Sequence, residues 1–218
     1  MQSKKAVIID YGIGNLHSVL KACEQVGLNA LISKDKEEIR NADAIILPGV
    51  GAFPKAMKNL EKYDLIQEIK DFAQTGKIIM GVCLGMQLLM TNSEEFGLTE
   101  GLGLIDGTCL RFSNKEDHSK SIKVPQIMWN KIFTSKGSGF EKNSPLSSIK
   151  EDEFMYFVHS YYVKPSDEMN ILSLTNYCGV EYASSVRKNN IFGFQFHPEK
   201  SGDFGLEIYK NLNNFIKK

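Results

Sequence analysis

The chain has 218 residues, enough for one α/β domain of ordinary size and short for two domains that each need a core. Its 26 Lys and Arg balance 26 Asp and Glu, a neutral total that does not suit a polyanionic partner. At 42% hydrophobic and 24% charged residues, the composition is that of a folded soluble protein, and it excludes a disordered chain.

Ala6 to Ile9 is wholly apolar, as strands covered on both faces tend to be. Closed by Asp10, it is too short for a signal-peptide core or a membrane span. Leu16, Val19, Leu20, Cys23 and Val26 then recur at helical spacing until Gly27 stops them. Asn29 to Ile32 reads as a second strand. Ala44 to Leu47 reads as a third, running into Pro48-Gly49-Val50-Gly51, a loop that Pro and two Gly keep out of regular structure. Leu65, Ile66, Ile69, Phe72 and Ala73 predict a helix ended near Gly76. Lys77 to Val82 is the most apolar strand, and a helical pattern resumes near Leu84. From Gly101 the runs shorten: Thr108 to Phe112, Phe154 to Val158, Ile171 to Thr175, Tyr182 to Val186 and Ile191 to Phe196 predict mixed sheet. Phe204, Ile208, Leu212, Phe215 and Ile216 mark a final amphipathic helix. The polar stretches Ser113 to Ser121 and Ser135 to Ser148 read as surface loops. The expectation is a single α/β domain over residues 1–218, located in the cytosol.

Four cysteines, Cys23, Cys83, Cys109 and Cys178, lack CxxC spacing, so each is judged as a lone thiol, with neither a disulfide framework nor a metal knuckle indicated. Cys83 stands out. Gly81-Val82-Cys83-Leu84-Gly85 sits where an apolar strand turns into a helix and has the form GxCxG, the thiol counterpart of a serine nucleophile elbow. Such a turn strains its central residue, and the flanking glycines give strand and helix room to approach. Amides at the helix start favour a thiolate and can hold an oxyanion. A thiolate needs a base. His118 lies in a polar stretch and His17 in a first helical turn, whereas His159 and His197 each end an apolar strand. Glu199, two residues past His197 and after Pro198, can turn back to orient the imidazole, which suggests a Cys83, His197, Glu199 triad.

Cys83 in its elbow, followed by Met86 and Gln87, together with Phe194-Gln195-Phe196-His197-Pro198-Glu199, resembles the class I, triad-type glutamine amidotransferases. More narrowly, Ile9 to Leu16, Leu47 to Phe53, Phe157 to Tyr162 and Glu199-Lys200-Ser201 look like the glutaminase subunits of imidazole glycerol phosphate synthases. The blocks run from residue 8 to residue 201 in family order. The resemblance implies a three-layer α/β fold with a central mixed, largely parallel sheet, and no metal or organic cofactor. It implies Cys83 as nucleophile, His197 as base and Glu199 as its orienter. L-glutamine would lie near Gly49, Gly51, Leu84, Gln87, Ser160 and Tyr161, with oxyanion donors from the Leu84 amide and the Pro48 to Gly51 loop. It further implies a heterodimer with a (β/α)₈ barrel cyclase that receives the ammonia, with Tyr11, Asn15, Tyr161 and Lys200 near the docking face.

One block departs from the family pattern Pro-His-aliphatic-Gly-Trp-Asn: Pro125-Gln126-Ile127-Met128-Trp129-Asn130 has Gln for His and Met for Gly. If that segment touches the partner, the acceptor enzyme is open. Related paralogues supply ammonia to sugar-modifying synthetases in surface-glycan pathways, and a non-catalytic binding subunit is a third reading, against which the intact Cys83, His197 and Glu199 argue.

Overall fold

The computed structural model describes residues 4–113, 122–134 and 140–217. His118, most of the first polar stretch and the start of the second lie outside them. The first half contains β1 (Ala6–Ile9), α1 (Leu16–Gln25), β2 (Ala30–Ser33), α2 (Lys36–Asn41), β3 (Ala44–Gly49), α3 (Phe53–Lys62), α4 (Ile66–Gln74), β4 (Ile78–Cys83) and α5 (Leu84–Leu88). The second half contains β5 (Met90–Ser93), β6 (Thr99–Glu100), β7 (Ile105–Arg111), β8 (Gln126–Ile132), β9 (Glu153–His159), β10 (Tyr161–Pro165), β11 (Ile171–Tyr177), β12 (Val180–Lys188), β13 (Ile191–Phe194) and α6 (Gly202–Lys217).

Two helices were absent from the sequence reading. In α2 the Asp35 carboxylate accepts the Glu38 N–H at 3.0 Å, a side-chain cap that steadies a helix of only six residues. In α3, Pro54 sits in the first turn, where its missing N–H costs nothing, and Phe53, Ala56, Met57 and Leu60 form the buried stripe.

The main sheet of the described residues runs β2-β1-β3-β4-β13-β12-β10-β7-β5-β6, with β11 on β12. From β2 to β13 every pairing is parallel; β12, β10 and β7 then follow antiparallel. Strands β8 and β9 form a separate antiparallel ribbon. Successive residues of the parallel strands serve opposite faces. Ala6, Ile8, Ala44, Ile46, Met80 and Val82 pack with α1 and α6, while Val7, Ile9, Ile45, Leu47 and Ile79 pack with α2 to α5. Three layers result, and each fully buried Ile on these strands contributes about 1.5–3 kcal/mol relative to exposure. Strand β4 lies between β3 and β13, so the carboxyl end of β4, where parallel α/β sheets place their ligands, is flanked by the ends of both neighbours.

Candidate active site

Strand β4 ends at Cys83 with φ 54° and ψ −110°, a conformation that side-chain-bearing residues rarely adopt. The glycines permit it. A Cβ on Gly85 would lie 1.7 Å from the Leu47 carbonyl oxygen, and one on Gly81 would lie 2.7 Å from the Gly85 oxygen. Because α5 has only five residues, its influence on the sulfur is that of its first-turn amides rather than of a long dipole. Cys83 is 5% exposed yet lines a cavity of about 270 Å³, a volume for a small metabolite rather than a drug-sized ligand.

His197 follows β13, the parallel neighbour of β4, in which Phe194 pairs with Val82. Pro198 opens a 3-10 turn that brings Glu199 back onto the ring. His197 Nδ1 donates to Glu199 Oε1 at 2.8 Å, with the two side chains 2% and 1% exposed. The backbone is pinned too: the His197 N–H donates to the Tyr156 carbonyl at 2.9 Å and the Ser201 hydroxyl to the His197 carbonyl at 2.7 Å. Nε2 completes no hydrogen bond among the described residues. Burial disfavours the imidazolium, but the charge of Cys83 and the hydrogen-bonded Glu199 carboxylate outweigh that and lift the pKa from 6.5 to about 10. A raised pKa stabilises the fold fully below the unfolded value near 6.5, and the contribution is lost as pH rises through about 10. Glu199→Gln is expected to lower the pH at which the ring loses its proton by about 1–3 pH units, read from a histidine NMR titration. An unchanged titration would show that the carboxylate does not hold the cation.

Gly51, Leu84, Gln87, Ser160 and Tyr161 line the same cavity as Cys83. Gly49 does not, which corrects the sequence reading. It pairs in register with Cys83, and a Cβ there would meet the Tyr11 hydroxyl at 2.5 Å and Leu84 Cβ at 2.9 Å, so it is a close-packing position. Val50, 41% exposed, and Gly51, with φ 99°, carry the loop past the sulfur instead. Tyr11 is corrected as well: it is fully buried, its hydroxyl donates to the Pro48 carbonyl at 2.6 Å, and it braces the loop from below rather than facing a partner. Asn15 is half-buried at the start of α1, and Lys200 is exposed, its ammonium 6.0 Å above the Tyr156 ring.

His159 also lines the cavity, but burial drives its pKa down to about 4, which leaves a neutral ring whose Nδ1 donates to the Tyr161 carbonyl at 2.8 Å. Sequence reasoning missed Glu95, which faces the cavity while accepting the Phe53 N–H at 2.7 Å; burial raises its pKa and that N–H opposes the rise. Its signal was Ser93, whose hydroxyl accepts the Glu95 N–H at 3.2 Å in a serine turn that aims the carboxylate. Among the described residues no group of three or more His, Cys, Asp or Glu is placed to hold a metal ion.

A cysteine elbow with a buried His–Glu pair behind it, at the carboxyl edge of a three-layer sheet, is the arrangement of a thiol-dependent acyl-transfer enzyme. The sequence matches the family described as Glutamine amidotransferase class-I over residues 7–215. It is 45% identical over 210 residues to imidazole glycerol phosphate synthase subunit HisH of Bacillus subtilis (strain 168), spanning 96% of this chain and 94% of that protein. It is 50% identical over 212 residues to the HisH subunit of Methanosarcina mazei, spanning 96% and 98%. Among solved structures, PurLQS from Thermotoga maritima superposes with a TM-score of 0.74 at 20% identity over 98% of this chain and 99% of that one, a likeness of fold. This chain belongs to the class-I glutamine amidotransferases, in the branch formed by the HisH subunits of imidazole glycerol phosphate synthase.

Proposed function

We propose that the chain, acting as a single domain, is a glutaminase subunit that hydrolyses L-glutamine and passes the ammonia to a cyclase subunit in histidine biosynthesis. The observation that carries this is the Glu199–His197 pair buried behind the strained Cys83. The Cys83 thiolate attacks the side-chain amide carbon of glutamine. The amides of Leu84 and of the Val50–Gly51 segment receive the oxyanion. His197, held protonated by its neighbours, gives its proton to the departing ammonia. Water activated by the same ring then cleaves the glutamyl thioester to glutamate and restores the thiol. Glu95, the one carboxylate among the residues lining the cavity, offers a counter-charge to the substrate's α-ammonium.

Ammonia released into water becomes ammonium, which is not nucleophilic, so the product has to reach its acceptor directly. The ribbon β8–β9 supplies a surface for that. Ile127 pairs with Val158, Trp129 with Tyr156 and Lys131 with Phe154, so these residues share its outer face. Ile127, Trp129 and Phe154 are 58%, 48% and 49% exposed. Val158 lines the cavity, and Lys200 lies over Tyr156 on the same face. Gln126 pairs with His159 and is fully buried, whereas Met128, paired with Phe157, is 42% exposed, so one of the two departures from the family pattern lies at the surface of the ribbon. The identity of 45–50% to HisH subunits favours the barrel cyclase over a sugar-modifying acceptor. Trp129→Ala is expected to weaken binding to the organism's own cyclase by about 30-fold or more, read by titration calorimetry. An unchanged affinity would move the docking face elsewhere.

A cytosolic location fits this role; no helix of the described residues is long and apolar enough to cross a membrane. The function is tested by assaying the chain with its own organism's cyclase. Glutamine-dependent formation of imidazole glycerol phosphate is expected, and recovery of a sugar amidotransferase as its native partner would overturn the pathway.

A further inference from the structure

Behind the Cys83 sulfur lies a second side chain that the triad does not use. Gln195 is fully buried, and its Nε2 donates to Cys83 Sγ at 3.7 Å, within the range of hydrogen bonds to sulfur. Its Oε1 accepts from Gln87 Nε2 at 3.1 Å. Gln87 Nε2 also donates to the Tyr161 carbonyl at 2.9 Å. The direction of this chain is not free. A backbone carbonyl can only accept, so the Gln87 amide has to present its NH₂ to Tyr161, and both of its protons are then spent on Tyr161 and Gln195. Gln195 has to meet that NH₂ with its oxygen, which turns its own NH₂ toward the sulfur. The second lone pair of the Tyr161 carbonyl is taken by His159 Nδ1, locking the anchor from the other side.

We infer that Gln195 is a positioning residue for the nucleophile: the chain Tyr161 carbonyl, Gln87, Gln195 presents a fixed N–H donor to the Cys83 sulfur and favours its anionic form. The inference rests on the reading of Cys83 as nucleophile. It also gives Gln87 a role beyond contact with substrate, since its amide sets the polarity of the neighbouring amide.

Selective alkylation of the full-length chain tests this without glutamine. Iodoacetamide labelling is followed across pH by peptide mass analysis, with the exposed Cys178 as internal reference. In wild type, Cys83 is expected to label faster than Cys178 at neutral pH. Gln195→Met removes the donor at similar length and is expected to slow Cys83 by about 10-fold or more, the scale of one hydrogen bond to a charged group. Gln195→Glu keeps the shape and the contact with Gln87 but turns a carboxylate oxygen to the sulfur. A carboxyl is the stronger acid, so a single shared proton stays on sulfur, and Q195E is expected to be slower than Q195M. In the complex with cyclase, kcat for glutamine should fall in the same order with KM changed by less than about twofold. If Gln195 gave the sulfur no hydrogen bond, Q195M would label at the wild-type rate, and that result overturns the inference. Should Q195M and Q195E not fold, Gln87→Met, which frees the Gln195 amide to turn over, is expected to slow labelling, and no slowing overturns the inference. A wild-type Cys83 no more reactive than Cys178 would instead remove the nucleophile reading on which it stands.

Discussion

Cys83→Ala is expected to abolish glutamine-dependent synthesis by the reconstituted complex, with kcat down by about 10⁴-fold or more, while synthesis from added ammonium salts continues at the wild-type rate. The split follows from where the sulfur sits. On the proposed mechanism Cys83 is needed only to cut the amide, and the acceptor chemistry would belong to the partner, which would take up ammonia from added salts as well. The substitution removes one sulfur atom at the edge of a cavity and leaves the β3–β4–β13 core untouched, so docking should survive. Measuring both activities on the same preparation makes the comparison internal. Loss of the ammonium-dependent activity would mean that residue 83 supports folding or assembly rather than chemistry.

Gly85→Ala is expected to have the largest effect on stability, a loss of about 4 kcal/mol or more, measured by chemical denaturation. The new methyl carbon would be placed 1.7 Å from the Leu47 carbonyl oxygen, well inside any tolerable contact. Neither side can yield cheaply. Leu47 pairs with Gly81 inside the parallel sheet, and Gly81 itself has the Gly85 backbone 2.7 Å from where its own Cβ would stand. By contrast Gly27, where a Cβ would meet nothing within 4 Å, should respond to the same change only through the strain of its φ of 69°. A Gly85→Ala protein as stable as wild type would show that the elbow relaxes without its glycines.

Much of this molecule was legible in the sequence because its signals are local. The apolar runs at Ala6, Ala44 and Lys77 mark strands covered on both faces, and GxCxG marks the sharp turn between β4 and α5. The Pro after His197 marks the reversal that returns Glu199 to the ring. What was not legible depends on register or on distant partners. Tyr11 and Gly49 carry the look of surface motifs, yet each fills the space the other leaves, which only the packing of β3 against α5 decides. Gln195 stood in plain sight between Phe194 and Phe196, but its partners are Cys83, 112 residues earlier, and Gln87, 108 residues earlier. The inward placement of Gln126 required the β8–β9 register, since a shift of one residue would turn it to solvent. Helix α3 escaped because Pro54 followed closely on the glycine loop and masked its spacing.

The parallel pairing of β4 with β13 also governs when the enzyme comes into being. The sulfur is carried by the first ninety or so residues, but the imidazole reaches it only after a strand from the far end of the polypeptide inserts between β4 and β12. A chain in which that strand has not docked would carry the proposed nucleophile without its acid. On the proposed mechanism hydrolytic competence arrives with the closing of the sheet, so turnover would report that β13 has docked.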